Sequence, residues 1–189
     1  MATTQPIRSI NQARELANYY LQRGEIRNYV LIVMGIHTAL RISDILRLTW
    51  NDVYDFENCR IRKNINITEK KTGKTKIIII NKRIASALNL YSYAVKRGGF
   101  LFKSRKGGAI SRVQAYRITR AAAEALGFRF RVSCHSLRKT FGYFAWKSGI
   151  SPAVIMEIYN HSSFAVTRRY LGVTQEDKDE VYLKLAEIV

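Results

Sequence analysis

Residues 25–39 (EIRNYVLIVMGIHTA) are apolar almost all round a helical projection. A helix of that kind is stable only where neighbours cover every face. The apolar stretch, residues 29–40, is too short to span a bilayer and includes Gly35, His37 and Thr38. The segment therefore predicts a central buried helix, and the rest of the chain must supply its surroundings. Residues 9–22 carry Ile10, Ala13, Leu16, Ala17 and Leu21 on a helical period, which suits an amphipathic helix packed against it. A short helix over residues 43–48 follows.

The texture then changes. Residues 60–68 alternate, with Ile61, Ile65 and Ile67 on one side and Arg62, Asn64, Asn66 and Thr68 on the other. Lys71-Thr72-Gly73-Lys74 has turn composition and residues 77–80 are β-branched, so the segment reads as a β-hairpin with a basic tip. Every later segment is helical in pattern: residues 83–96 before Gly98-Gly99, 111–126 before Gly127, 136–148 before Gly149, a helix opened by Ser151-Pro152, and short helices over 163–171 and 175–188. No linker or repeat divides the 189 residues. The expected fold is mainly α with one small antiparallel β-sheet, as a single domain over residues 1–189.

The charge narrows the function. With 32 Lys+Arg against 14 Asp+Glu the chain carries +18, a self-repulsion that a polyanionic partner relieves. Nucleic acid is the first candidate and an acidic membrane surface the second. A membrane-surface protein should show a dominant lysine-rich amphipathic helix, and none stands out. Cys59 and Cys134 are too far apart for a CxxC site, and residues 1–8 have no signal-peptide run, so a cytoplasmic location is expected, with no membrane partner.

Four segments can carry chemistry: Ala39-Leu40-Arg41-Ile42-Ser43-Asp44, the hairpin tip at Lys71, His135-Ser136-Leu137-Arg138, and His161-Ser162-Ser163 with Thr167-Arg168-Arg169-Tyr170 behind it. Singly, each reads as an ordinary surface charge or structural histidine. Together, in the order Arg, Lys, His-x-x-Arg, His, Tyr, with His161 nine residues before Tyr170, they resemble the tyrosine recombinase (phage integrase) family over its catalytic domain. "ALRISDILRL" is similar to the first-arginine motif, "HSLRKTF" to the His-x-x-Arg motif and "HSSFAVTRRYL" to the nucleophile motif.

The residue types suit the chemistry. Cleaving a phosphodiester requires charge neutralisation at the phosphate and an in-line nucleophile. Arg41 and Arg138 offer planar forks that bind two phosphate oxygens at once. His135 and Arg138, three apart, share a face of one helix turn, at a helix N-terminus that itself attracts anions. The buried stripe of that helix is expected to be Leu137, Phe141, Phe144 and Ala145. A phenol loses its proton near pH 10, so a tyrosine nucleophile needs a proton acceptor and cationic surroundings.

The resemblance implies that Tyr170 attacks the phosphate, that His135 assists its deprotonation, that His161 bonds the phosphate, and that Lys71 protonates the departing 5′-oxygen. Lys74 remains an alternative to Lys71. The product is a 3′-phosphotyrosine link whose bond energy is conserved, so no ATP, metal or cofactor is implied. No P-loop pattern, metal-ligand spacing or carboxylate cluster of a two-metal nuclease is present in the sequence. Asp44, three residues after Arg41, either holds that guanidinium or serves only surface solubility. Tyr159 and Tyr182 do not match the Thr-x-x-Tyr placement.

Arg60, Arg62 and Lys63, then Lys103 and Arg105, and Arg112, Arg117 and Arg120 on one helix, are candidates for contact with double-stranded DNA, each with a solvated basic face as its alternative. The resemblance implies a homo-tetramer on DNA, monomeric when free, assisted by accessory DNA-bending proteins. Most family members carry an additional N-terminal domain. Too few residues precede the first helix here to build one, so the chain reads either as a fragment or as a short single-domain recombinase. Residues 174–189 form a helix with an acidic opening and the apolar residues Val181, Leu183, Leu185 and Ile188, which docks either on its own domain or on a neighbouring protomer. Bacterial or phage origin and nucleoid association follow from the same resemblance. The competing functions are a type IB topoisomerase-like enzyme and a non-catalytic DNA-binding protein of the same fold.

Overall fold

The computed structural model describes residues 4–186. At its centre lies helix α2 (Ile26–His37), with every residue from Val30 to Ile36 buried. α1 (Ile10–Leu21), α5 (Lys82–Leu90) and α7 (Cys134–Lys147) pack around it. α1 begins at Ser9, whose hydroxyl accepts from the amide of Gln12, satisfying one free amide of the first turn. α2 and α7 approach closely because position 35 is glycine: a Cβ there would lie 2.6 Å from Leu137 Cδ1.

Short helices α3 (Ile42–Ile45) and α4 (Trp50–Val53) lead into the β region. The expected single sheet is two separate antiparallel pairs. β1 (Tyr54–Asp55) pairs with β2 (Arg60–Ile61), and β3 (Asn64–Thr68) pairs with β4 (Thr75–Ile79). The polar segment breaks at Arg62 and Lys63, where Arg62 turns its backbone amide to Val53 and its guanidinium to the carbonyl of Asn51. In β3–β4 the alternation holds: Ile65 is buried and Asn64 and Asn66 are exposed. Ile77 and Ile79, each 71% exposed, share the outward face, whereas Lys76 and Ile78 turn inward.

The helix expected over residues 83–96 ends at Leu90, followed by a 3-10 turn (Ser92–Ala94). α6 (Arg112–Ala125) is capped by Ser111 and α7 by Ser133. α8 (Pro152–Tyr159) opens with its proline in the first turn. α9 (Phe164–Leu171) and α10 (Gln175–Leu185) close the described chain, and Ile188 of the expected final helix lies outside the described residues. The expected stripe on α7 is corrected: Leu137 is buried, but Phe141, Phe144 and Ala145 are half-buried and line an open groove of about 540 Å³ with Ile10, Ala13 and Val33. α10 has no buried residue; Tyr182 and Leu183 are 74% and 73% exposed. Among the described residues no helix is long and apolar enough to cross a membrane.

Candidate active site

The site forms where α2, α7, α8 and α9 meet the β3–β4 hairpin. Ala39 ends the α2 segment in a left-handed conformation (φ 56°), which a non-glycine residue adopts only at a cost. The turn places Arg41 at the start of α3 and aims the carbonyl of Ala39 at α7, where it accepts from the Arg138 guanidinium.

Arg138 is 2% exposed. A second nitrogen donates to the carbonyl of Tyr159 at 3.1 Å, and the Tyr159 hydroxyl donates to the Arg138 carbonyl at 2.6 Å. Its Nε has no partner among the described residues. This reciprocal clasp locks the first turns of α7 to the end of α8, and leaves a buried cation whose donors are only partly used.

Past Tyr159 the chain reverses at Asn160, which sits in the left-handed region (φ 52°). The reversal lays His161 on the Tyr159 ring, 4.9 Å between centroids and 21° from parallel. His161 Nδ1 lies 3.0 Å from the buried Thr167 hydroxyl of α9. Three residues on, Tyr170 approaches both imidazoles, 4.5 Å from His161 and 5.0 Å from His135 between ring centroids. The Arg138 guanidinium lies 5.8 Å from the Tyr170 ring centroid.

The cations around the site act on the two imidazoles. Partial burial, then the charges of Lys139, Arg138 and Arg41, push His135 down to about 4. Burial and Arg138, Arg41 and Lys76 do the same to His161, also to about 4. Both imidazoles are therefore neutral at pH 7.

The lysine expectation meets a different arrangement. Lys71 and Lys74 stand exposed on the turn. Lys76, with its side chain 12% exposed, reaches inward, bonding Glu69 at 2.9 Å and donating to the carbonyl of Ile158. The usable signal was a lysine on the inward face of a strand otherwise filled by isoleucine. Asp44 is fully buried, which excludes a solubility role. Its Oδ1 accepts from the backbone amide of Lys70 at 3.0 Å, so it anchors the hairpin, and the carboxylate that bonds Arg41, at 2.9 Å, is Glu69. Lys139, which sequence reasoning passed over, lies 5.8 Å from the Tyr170 ring and donates to the carbonyl of Thr4.

Arg60, Arg62, Lys63, Lys103, Arg105, Arg112, Arg117 and Arg120 are all exposed. Arg120 pairs with Glu124 and, together with Arg131, donates to the Tyr116 hydroxyl.

The pattern of the Phage integrase family matches residues 3–177. The chain is 39% identical over 183 residues to the probable integrase/recombinase YoeC of Bacillus subtilis, covering 96% of this chain and 97% of that protein. It is 29% identical over 168 residues to the tyrosine recombinase XerD of Mycobacterium leprae, spanning 83% of this chain but about half (51%) of that protein. In fold it is similar to the XerA recombinase crystal structure, with a TM-score of 0.78 at 23% identity, over 96% of this chain and 66% of that one. An ordered match over nearly the whole chain, together with this fold, leads to one conclusion: the chain belongs to the phage integrase (tyrosine recombinase) family.

Proposed function

We propose that the protein is a site-specific DNA strand transferase that cleaves and rejoins double-stranded DNA through a phosphotyrosine intermediate. The observation that carries this reading is the gathering of Tyr170, His135, His161 and the buried, under-used Arg138 within one cluster of aromatic and cationic contacts. Family membership agrees with it.

In this reading the Arg41 and Arg138 guanidiniums bind the non-bridging oxygens of a phosphodiester and stabilise the charge that grows there. In the tautomer this reading requires, His161 Nδ1 accepts from the Thr167 hydroxyl 3.0 Å away, and the proton on Nε2 donates to the same phosphate. Neutral His135 accepts the phenolic proton of Tyr170. The Tyr170 oxygen forms a bond to phosphorus as the bond to the 5′-oxygen breaks, and a hairpin lysine returns a proton to that oxygen. Rejoining runs the same steps backwards, with the phosphodiester energy held in the tyrosyl ester, so neither ATP nor a metal takes part.

Family wording assigns the proton donor to Lys71, while Lys76 is the hairpin amine already turned inward. A substrate with a 5′-bridging sulfur separates them, because a thiolate leaves without protonation. It restores cleavage only to the variant lacking the donor, and the resemblance predicts rescue of Lys71→Ala.

The proposed partners are double-stranded DNA and further copies of this chain in a tetramer, with DNA-bending proteins as accessories. The unburied apolar residues of α10 match in character the groove between α1, α2 and α7, which supports docking of this tail onto a neighbouring protomer. Nicked duplexes from the flanks of the protein's own gene test the function. Wild-type protein should form a covalent adduct stable to denaturation and Tyr170→Phe none; adduct formation by Tyr170→Phe would overturn the assignment.

A further inference from the structure

A fully buried carboxylate lies among the cations of this pocket. The Glu69 side chain has no exposure, yet it sits at the mouth of the hairpin, where the motifs converge. Its Oε2 accepts from Arg41 at 2.9 Å, from the Thr72 hydroxyl at 2.8 Å and from the Asn160 side-chain amide at 3.1 Å, and its Oε1 pairs with Lys76 at 2.9 Å. Those donors come from three segments: the loop before α3, the hairpin, and the turn that carries His161. No other described carboxylate joins all three. It is shielded from solvent by these same groups, so it does not itself meet a substrate.

We propose that Glu69 is a positioning residue of strand cleavage, a central anion that holds Arg41 and Lys76 at the phosphate pocket and ties the hairpin to the His161 turn. The proposal rests on the strand-cleavage reading above. Its physical basis is that Arg41 and Lys76 repel one another and Arg138. Without an anion between them, long flexible side chains would swing toward solvent and the pocket would lose its shape. Burial works to raise the Glu69 carboxyl, but hydrogen bonds from Lys76, Asn160 and Thr72 outweigh it and hold it at about 2, so the anion persists across the working pH range. Burial together with Arg138 and Arg41 lowers Lys76, and Glu69 opposes that fall. Removing Glu69 therefore leaves an amine that gives up its proton at lower pH.

A positioning anion makes a split prediction that a structural brace does not. Glu69→Gln keeps the shape and removes one negative charge, so the pocket should bind an anion more tightly while aligning it less well. With only three histidines in the chain, imidazole resonances can be followed singly. His135 and His161 report the pocket, and His37, beside Asn81, serves as internal control. In a titration of the full chain with inorganic phosphate, Glu69→Gln should bind severalfold tighter than wild type, and Glu69→Asp, which keeps the charge, should stay near wild type. On nicked duplex, adduct formation by Glu69→Gln should fall roughly ten- to a hundredfold, and the alkaline limit of its pH profile should move to lower pH.

Unchanged phosphate affinity and unchanged cleavage would overturn the proposal. So would a parallel loss of both in Glu69→Gln and Glu69→Asp in step with a lower melting temperature, which marks a purely structural brace. If wild-type protein makes no adduct at all, the strand-cleavage reading fails on its own. The phosphate titration then still decides whether Glu69 sets the charge of the pocket.

Discussion

Taking a guanidinium out of water costs several kcal/mol unless acceptors surround it, and Arg138 is buried with its Nε unpaired. A phosphate would supply what the protein withholds. The imidazoles of His135 and His161 express the same positive field. Their folded pKa values of about 4 lie below the ordinary 6.5, so between these values the unfolded chain binds more protons than the folded one. Stability is therefore fully present above about pH 6.5 and declines as pH falls toward 4. An anion in the pocket should reverse the depression and couple binding to proton uptake. Imidazole NMR should find His135 and His161 titrating near 4 in the free protein and higher with phosphate; midpoints near 6.5 without phosphate would contradict this field. At this scale the candidates Arg41, His135, Arg138, His161 and Tyr170 could be singled out because their local wording is distinctive. Glu69, Lys76 and Asn160 were not, because the Asn160–Glu69 contact joins residues 91 positions apart and no local pattern announces it.

At the scale of elements, the site depends on how tightly α7 and α8 approach. Gly142 lies on α7 facing Tyr159, and a Cβ there would come within 2.5 Å of the Tyr159 hydroxyl oxygen and 2.9 Å of its ring. Gly142→Ala should therefore displace the ring on which His161 stacks. We expect a loss of about 1–3 kcal/mol from overpacking, partly offset by the better helix propensity of alanine, and slower adduct formation. Urea denaturation checks the first, and equal or higher stability would show that the ring moves freely. The start of α8 was readable from Ser151-Pro152 and the ends of α6 and α7 from Gly127 and Gly149, whereas α7 begins at Cys134 behind the Ser133 cap, two residues before the start its pattern suggested. Which face of β3 turns inward was readable from alternation. The break at Arg62 and Lys63 was not, since it arises where the strand exchanges one partner for another. Phe141, Phe144 and Ala145 followed the helical period of core residues and proved to line a groove, because periodicity reports which face is apolar and not whether anything covers it.

For the molecule as a whole, a charge of +18 predicts strongly salt-dependent DNA binding. Each phosphate contact contributes about 0.9 to the log–log slope, so Arg112→Ala, if that exposed side chain meets a phosphate, should reduce the slope by about that amount; an unchanged slope and affinity would remove Arg112 from the interface. Deleting residues 174–189 removes the α10 segment, and it should leave single-site DNA binding intact while weakening assembly of several protomers on DNA. An unchanged multimer profile in analytical ultracentrifugation would reject docking between protomers. Composition alone indicated a polyanionic partner; the place we propose for one phosphate comes only from the meeting of segments from residues 39 to 170. The central claim is that the Tyr170 oxygen becomes bonded to DNA phosphorus. Mass spectrometry of trypsin-digested adduct tests it most directly: peptide 170–178, released after Arg169 and Lys178, should carry the nucleotide mass on its tyrosine, whereas a nucleotide on the peptide holding Tyr159 or Tyr182, or on none, would contradict the account.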